Sequence, residues 1–409
     1  MNLIDRLRLA VASETAGHFL LPHRALWHLW RRRRPAPALS EVRSILVVRL
    51  DEIGDLVLAS SFLRELRRSA PQAHITIVVK PVGRELLAAC PHVDAVETFA
   101  GPDLPWGPAR SARLRRMILR RQFFRQFAQP FDLVLLPRRD PDYVGGEYFG
   151  YAAGFGYVAA LEDWGVPANR DGRYYRSYCE RLVPVNSIEH EADYALALLP
   201  ALGGTVTDRQ LEIWTTPADR AAADAFIGQH FAGQPFAVMH PTGGRSVLKQ
   251  WPIERFVAVA EQLTQSDGLS WLIIGGSEET WISRSFFESP RVVCAPGKLP
   301  LRTLAAILAR ARLFVGGDSG PSHLAAAAGT PMVAVFGSTS LTRFAPRGPY
   351  VRVVSLELEC SPDRQGTYVD RCKSCIHRTP LCLHNLPASR VVDAAQQLLR
   401  LAASSSARP

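Results

Sequence analysis

Residues Leu313–Ser340 read LFVGGDSGPSHLAAAAGTPMVAVFGSTS. An apolar strand, Leu313–Val315, runs into Gly316-Gly317. Asp318-Ser319-Gly320-Pro321 then turns the chain into a small-residue helix, Ser322–Ala328, and a second apolar strand comes at Met332–Phe336. Pro321 suits a first helical turn, where its missing N–H costs nothing. Two short strands, apolar on both faces and joined by a helix, predict a parallel sheet covered on both sides. The helix would aim free amides above the sheet edge, a ready place for a phosphate, with the Ser319 hydroxyl and the His323 ring nearby. A capping Asp318 and a His323 satisfied in the core account for the same residues without a ligand. GDSGP matches the nucleophile sequence of a serine protease, but that chemistry belongs to an all-β barrel and not to a strand-to-helix corner.

Two more corners lie upstream. His240–Trp251, HPTGGRSVLKQW, comes after a strand at Phe236–Met239 and carries Arg245 and Lys249 in a glycine-rich loop. Such a loop can wrap a diphosphate, but without GxxxxGK[ST] it is not a P-loop. IIGGSEE closes the strand Trp271–Ile274 at Gly275-Gly276, and Glu278 or Glu279 could accept ribose hydroxyls. Helices are expected at Ile253–Leu263, near Glu278, at Leu301–Ala309 and at Ala388–Ala402, with a short strand at Val292–Cys294.

The first half repeats the pattern. Strands are expected at Ile45–Leu50, His74–Val79, Val93–Phe99 and Leu133–Leu136, and helices at Leu56–Ser69 and about Glu189–Leu202. The second of these helices ends at Gly203-Gly204, a natural boundary. The fold class is therefore α/β: two doubly wound Rossmann-like domains with a cleft between their strand C-termini. The expected division is a basic extension at 1–40, an acceptor-binding domain at 41–204, a nucleotide-sugar-binding domain at 205–387, and a last helix at 388–409 packing back toward the first domain.

The chain has 409 residues, 47% of them hydrophobic, and a net charge of +10. Residues 1–43 hold eight Arg against Asp5, Glu14 and Glu41, and Arg110–Arg125 holds seven Arg and no acid. Both blocks suit an anionic surface, and the second alternates with apolar residues as a membrane-surface helix would. Nucleic acid is not expected, because no stacking platform accompanies the charge. No apolar run reaches the ~20 residues of a membrane span. The start lacks a signal-peptide layout, and seven cysteines, an odd number, fit a reducing compartment. A cytoplasmic protein, peripheral on the inner membrane face, is the expectation. Cys360, Cys372, Cys375 and Cys382, with His377 or His384 near, have the makings of a zinc site; free thiols or a redox pair are the alternatives.

Taken together, RLDEIGDLVLASSFLRELRRSAP, HPTGG…LKQWPIERF, IIGGSEE, GGDSGPSHLAAAAGTPMVAVFG and the closing CKSC…CL…SRV resemble glycosyltransferase family 9, the ADP-heptose:lipopolysaccharide heptosyltransferases. The resemblance runs from Ser44 to the C-terminus and implies the GT-B fold. It implies Asp55 as catalytic base and Lys249 at the donor phosphates. Asp318 would hold the transferred sugar, and Ser319, Gly320 and His323 would surround the diphosphate. Glu278 or Glu279 would stand by the adenosine ribose, and Thr242 is counted with this donor set. Arg49 and Gly54 fall on the acceptor side. The reaction implied is inverting transfer from an ADP-sugar to a lipopolysaccharide core or other anionic surface glycan, with no cofactor and no metal, by a monomer. No DxD pair stands at a strand end; Asp140 and Asp142 are spaced for one but lie elsewhere. A non-catalytic nucleotide- or glycan-binding relative and a nucleotide-sugar hydrolase or epimerase are the alternatives. At the first corner, Val47–Leu58 (VVRLDEIGDLVL), Asp51 and Glu52 are expected to serve the turn from solvent, Gly54 to bring the backbone close to the acceptor, and Asp55 to be kept ionised by its helix dipole.

Overall fold

A computed structural model describes residues 35–99, 131–138, 156–162, 179–185, 189–244, 246–286, 289–364, 372 and 374–406. Residues 1–34 of the expected 1–40 extension, the Arg110–Arg125 block, Asp140, Asp142 and Arg245 lie outside the described residues.

The first half is a six-stranded parallel sheet. Its strands are β1 (Ser44–Arg49), β2 (His74–Val79), β3 (Ala95–Thr98), β4 (Leu133–Leu136), β5 (Tyr157–Glu162) and β6 (Arg181–Pro184). Helices α1 (Ile53–Leu58), α2 (Ser60–Ser69), α3 (Pro81–Leu87) and α4 (Glu191–Tyr194) accompany it. The second half begins with α5 (Pro217–Phe231) and holds β7 (Phe236–His240), α6 (Ile253–Asp267), β8 (Ser270–Ile273), β9 (Val292–Cys294) and α7 (Leu301–Leu308). It continues with β10 (Leu313–Gly317), α8 (Gly320–Ala327), β11 (Met332–Phe336), α9 (Leu341–Phe344), β12 (Val351–Ser355), α10 (Leu381–His384) and α11 (Ala388–Ser406).

The strand orders are β3-β2-β1-β4-β5-β6 and β9-β8-β7-β10-β11-β12, so each half has the 3-2-1-4-5-6 winding, and every pairing is parallel. The expected doubly wound α/β architecture is present twice. β1 shows why its sequence is apolar throughout: Ile45 and Val47 enter the buried cluster on one face, while Leu46 and Val48 enter a second cluster on the other. The order reverses between β1 and β4, and again between β7 and β10, which opens a crevice at the strand carboxyl ends in each half.

Four expected elements differ. The helix at 56–69 is two, parted at Ala59, whose φ and ψ of −86° and 0° leave the α region. The long helix at 189–202 is one α-turn continued by 3₁₀ turns at Ala195–Leu198 and Pro200–Leu202, ending on left-handed Gly203. Pro200 has no N–H for an α-type bond, so the chain tightens there. The helix near Glu278 is a 3₁₀ turn, Thr280–Arg284. The last helix does not turn toward the first half. Val391, Ala395, Leu398 and Leu399 form a stripe on α11 that packs with Phe256, Val259 and Leu263 of α6, over the second sheet. Burying that stripe where a matching apolar helix already lies outweighs crossing to a polar corner.

A candidate active site at the seam between two crevices

The loops and helices at the carboxyl ends of the strands build each crevice. In the first half, β1 delivers Arg49 at its end, with Asp51 just before α1 and Asp55 within it. Arg49 is 2% exposed; its Nε lies 2.9 Å from Asp51 Oδ2 and its NH2 3.2 Å from Glu191 Oε1. It also donates to the Pro137 carbonyl beyond β4. Arg138 pairs with the other Asp51 oxygen. Asp51 is therefore buried, at 4% exposure, and is not a solvated turn residue. Two guanidiniums from the two strands flanking the crevice hold it in. Glu52 does lie in solvent and pairs with Lys80 at 2.5 Å.

Arg49 is ion-paired to Asp51 and Glu191 and donates to the Pro137 carbonyl, so it ties the corner together. Asp55 keeps some accessible surface, but its carboxyl sits among these charges. Burial, and after it the negative charge of Asp51, raises its pKa to about 7, against the opposing pull of Arg49 and Arg138. The helix dipole expected to keep it ionised is outweighed by lost hydration and like charge.

In the second half, β7 ends on His240. Its Nδ1 lies 3.0 Å from Ser319 Oγ, and its Nε2 lies 3.2 Å from Thr242 Oγ1 and 3.7 Å from Glu279 Oε2. Glu279 also accepts from Gly276 N at 2.6 Å. The His240 contact first, and the Gly276 and Thr242 donors after it, hold its pKa down to about 2. The two candidate ribose acids thus separate: Glu279 belongs to the crevice cluster, whereas Glu278 is exposed and touches Ser277. Lys249 Nζ lies 2.6 Å from Asp318 Oδ2, which joins the β7 loop to the β10 corner. Gly243 makes that loop possible, because a Cβ there would collide with the Lys249 backbone. Ser319 is the N-cap position of α8, but its hydroxyl turns to His240 and no side chain caps the helix. The α8 dipole therefore faces the crevice beside Lys249.

The crevices meet at α1 and α8. A Cβ on Gly54 would stand 2.9 Å from His323 Cδ2, and one on Gly320 would stand 3.2 Å from Ile53 Cβ. Gly54 thus permits a close approach to the other half of the chain. His323 is 5% exposed, and burial depresses its pKa to about 4, so it is neutral; its Nδ1 has no hydrogen-bond partner among the described residues. Gly54→Ala should cost about 1–3 kcal/mol by forcing the halves apart or displacing His323. Thermal unfolding measures this, and an unchanged Tm would mean that the seam yields freely.

Among the described residues no three His, Cys, Asp or Glu side chains gather to hold an ion. Cys360 Sγ lies 3.6 Å from His377 Nε2, and Cys375 Sγ lies 3.1 Å from the Thr379 carbonyl. Burial and then the neighbouring thiols Cys372, Cys360 and Cys375 push the Cys382 pKa to about 11. Residues 365–371 and 373 of this stretch are outside the described set.

His240, Asp51, Glu191 and Arg343 complete the site, although the sequence patterns do not mark them as part of it. His240 stands at a strand end, which is a usable signal. Glu191 and Arg343 lie 152 residues apart and give none.

Comparison with known proteins agrees with this fold. The family model Glycosyltransferase family 9 (heptosyltransferase) matches residues 191–373. Lipopolysaccharide heptosyltransferase 3 of Escherichia coli is 27% identical over 176 residues, 42% of this chain and 51% of that protein. The chain spans about half the length of the first curated relatives it matches. Among solved structures, a glycosyl transferase family 9 protein from Veillonella parvula superposes with a TM-score of 0.68 at 22% identity, covering 87% of this chain and 97% of the other. E. coli ADP-heptose LPS heptosyltransferase II does so with a TM-score of 0.64 at 18% identity, covering 88% and 99%. These two likenesses establish the GT-B fold. Over residues 191–373 the chain is similar to glycosyltransferase family 9 (heptosyltransferase).

Proposed function

We propose that the protein is an inverting glycosyltransferase that moves heptose, or a related sugar, from an ADP-sugar to a hydroxyl of a lipopolysaccharide core or other surface glycan. One observation carries this reading: a carboxyl with a pKa near neutrality, Asp55, stands on the first half, and the Lys249–Asp318 pair and the uncapped α8 N-terminus stand on the second, across a seam closed by Gly54 and Gly320. The relatives' names supply the sugar and the acceptor class.

In the proposed step the acceptor oxygen attacks the anomeric carbon as the bond to the diphosphate oxygen breaks. The hydroxyl proton passes to Asp55, and the electron pair leaves with ADP. Lys249 and the α8 amides meet the charge growing on that diphosphate, which gives a metal-independent route. Glu279 is favoured over Glu278 for the ribose, and Asp318 for the sugar. Seating the halves together would exclude competing water. We further propose that residues 41–204 and 205–387 are the acceptor and donor domains, that the protein is a monomer, and that its basic segments hold it at the cytoplasmic membrane face. No helix among the described residues is long and apolar enough to cross a membrane.

The decisive experiment incubates the protein with ADP-heptose, with and without acceptor glycolipid, and tracks ADP. Acceptor-dependent release is the expected result. Release without acceptor would make the protein a hydrolase, and binding without release would make it a non-catalytic relative.

A further inference from the structure

Glu191 lies on neither strand corner, yet it is gripped from both halves. Its Oε1 is 3.2 Å from Arg49 NH2, at the end of β1. Its Oε2 accepts from Arg343 Nε at 3.0 Å and from Arg343 NH2 at 2.8 Å, both on α9. All three side chains are at least 95% buried. Arg343 is further fixed over the Phe344 and Tyr194 rings, at 4.6 and 5.4 Å. The same boundary is pinned on either side, since His190 Nε2 lies 2.8 Å from the Ala345 carbonyl and Arg347 pairs with Asp193 at 2.5 Å. A buried acid needs its charge balanced, and this one takes half of its balance from each part of the molecule.

We propose that Glu191 is a positioning residue for Asp55, reporting to that carboxyl, through Arg49, whether Arg343 and the second half are seated. The proposal rests on the transferase reading, in which Asp55 is the base and the halves part to admit substrates. With Arg343 in place, the charge of Glu191 is shared between two guanidiniums, and Arg49 remains available to Asp51 and Asp55. Its NH2 lies 3.5 Å from the Asp55 carbonyl oxygen. Without Arg343, Glu191 draws on Arg49 alone, and Asp55 faces two acids with less to oppose them. The charges facing Asp55 are Arg49 and Asp51 after β1, Arg138 after β4, and Glu191 on α4; the imidazole of His323 on α8, across the seam, is neutral. Seating would therefore favour the ionised, proton-accepting form of Asp55 at the moment the donor is enclosed.

The test reads Asp55 without substrate. Unfolding stability is measured across about pH 4 to 9, and the Asp55→Asn curve is subtracted, which isolates the titration of this group. In Glu191→Gln its inflection should fall by about 0.5–1 pH unit, and in Arg343→Met it should rise by a similar amount. Arg343→Met should add no shift in a Glu191→Gln background. A full shift in that background, or no shift in either single variant, overturns the proposal. If Glu191→Gln does not fold, Arg343→Lys must leave the inflection in place while Arg343→Met moves it; equal shifts overturn the proposal. Because no turnover is measured, a failure to find transferase activity and a failure of this coupling are separate results.

Discussion

Asp55→Asn is expected to lower turnover by about 10²–10⁴-fold with nucleotide binding unchanged, because the amide keeps the shape and hydrogen-bonding reach of the side chain but cannot take a proton. The wild-type rate should rise with pH through an inflection near 7, the value to which burial and Asp51 bring this carboxyl. The same shift has a stability consequence with a definite sign. A carboxyl whose folded pKa lies above its unfolded value binds its proton more tightly in the native state. That contribution is fully present below the unfolded value, about 4, and is lost as pH rises through about 7. At pH ~8 the Asn variant should therefore be the more stable protein, by on the order of 2 kcal/mol, since it no longer holds a charge in a crowded acid corner. Turnover within twofold of wild type would remove Asp55 as the base. A less stable variant at pH ~8 would show that the ionised carboxylate is well satisfied where it is.

Lys249→Met should cost about 10²–10³-fold in kcat, the scale of losing one group that faces developing charge. The side chain is tied to Asp318 at 2.6 Å, so the ammonium already has a fixed place before a diphosphate arrives. Asp318→Asn gives the informative contrast. It frees the ammonium, so ADP should bind at least as tightly, while sugar transfer falls because the acid proposed to hold the sugar is gone. Calorimetry of ADP binding beside steady-state kinetics separates the two effects. Equal losses of ADP affinity in both variants would place Asp318 and Lys249 in one structural pair with no division of roles.

How far these roles can be read along the chain depends on how local each signal is. The strand-to-helix corners are local, so β1, β7, β10 and β11 and the loops after them are legible from apolar runs punctuated by glycine. Tyr157–Glu162 and Arg181–Pro184 are strands that the sequence pattern does not reveal, although they complete the first sheet. Arg181–Pro184 is a partly exposed edge strand with polar and proline residues, and it has little apolar run to recognise. Val351–Ser355 is hidden for a similar reason, because only Val354 in it is fully buried. Asp51 reads as a solvated turn acid because its burial depends on Arg138, 87 residues away in sequence. Glu278 and Glu279 are indistinguishable until the Gly276 amide and His240 choose between them. Charges that balance across the fold leave no periodicity along the chain.

The matching strand orders of the two halves have one more consequence. The molecule presents the same crevice twice, and shape alone would let a nucleotide enter either. The groups left to meet an anion distinguish them. In the first crevice Asp51 and Glu191 already take up the guanidiniums of Arg49, Arg138 and Arg343, whereas in the second an uncapped helix start stands beside Lys249. On this view donor and acceptor are sorted by polarity before any sugar is recognised. Moving the lysine and the uncapped helix start to the first corner would be the way to exchange the two roles.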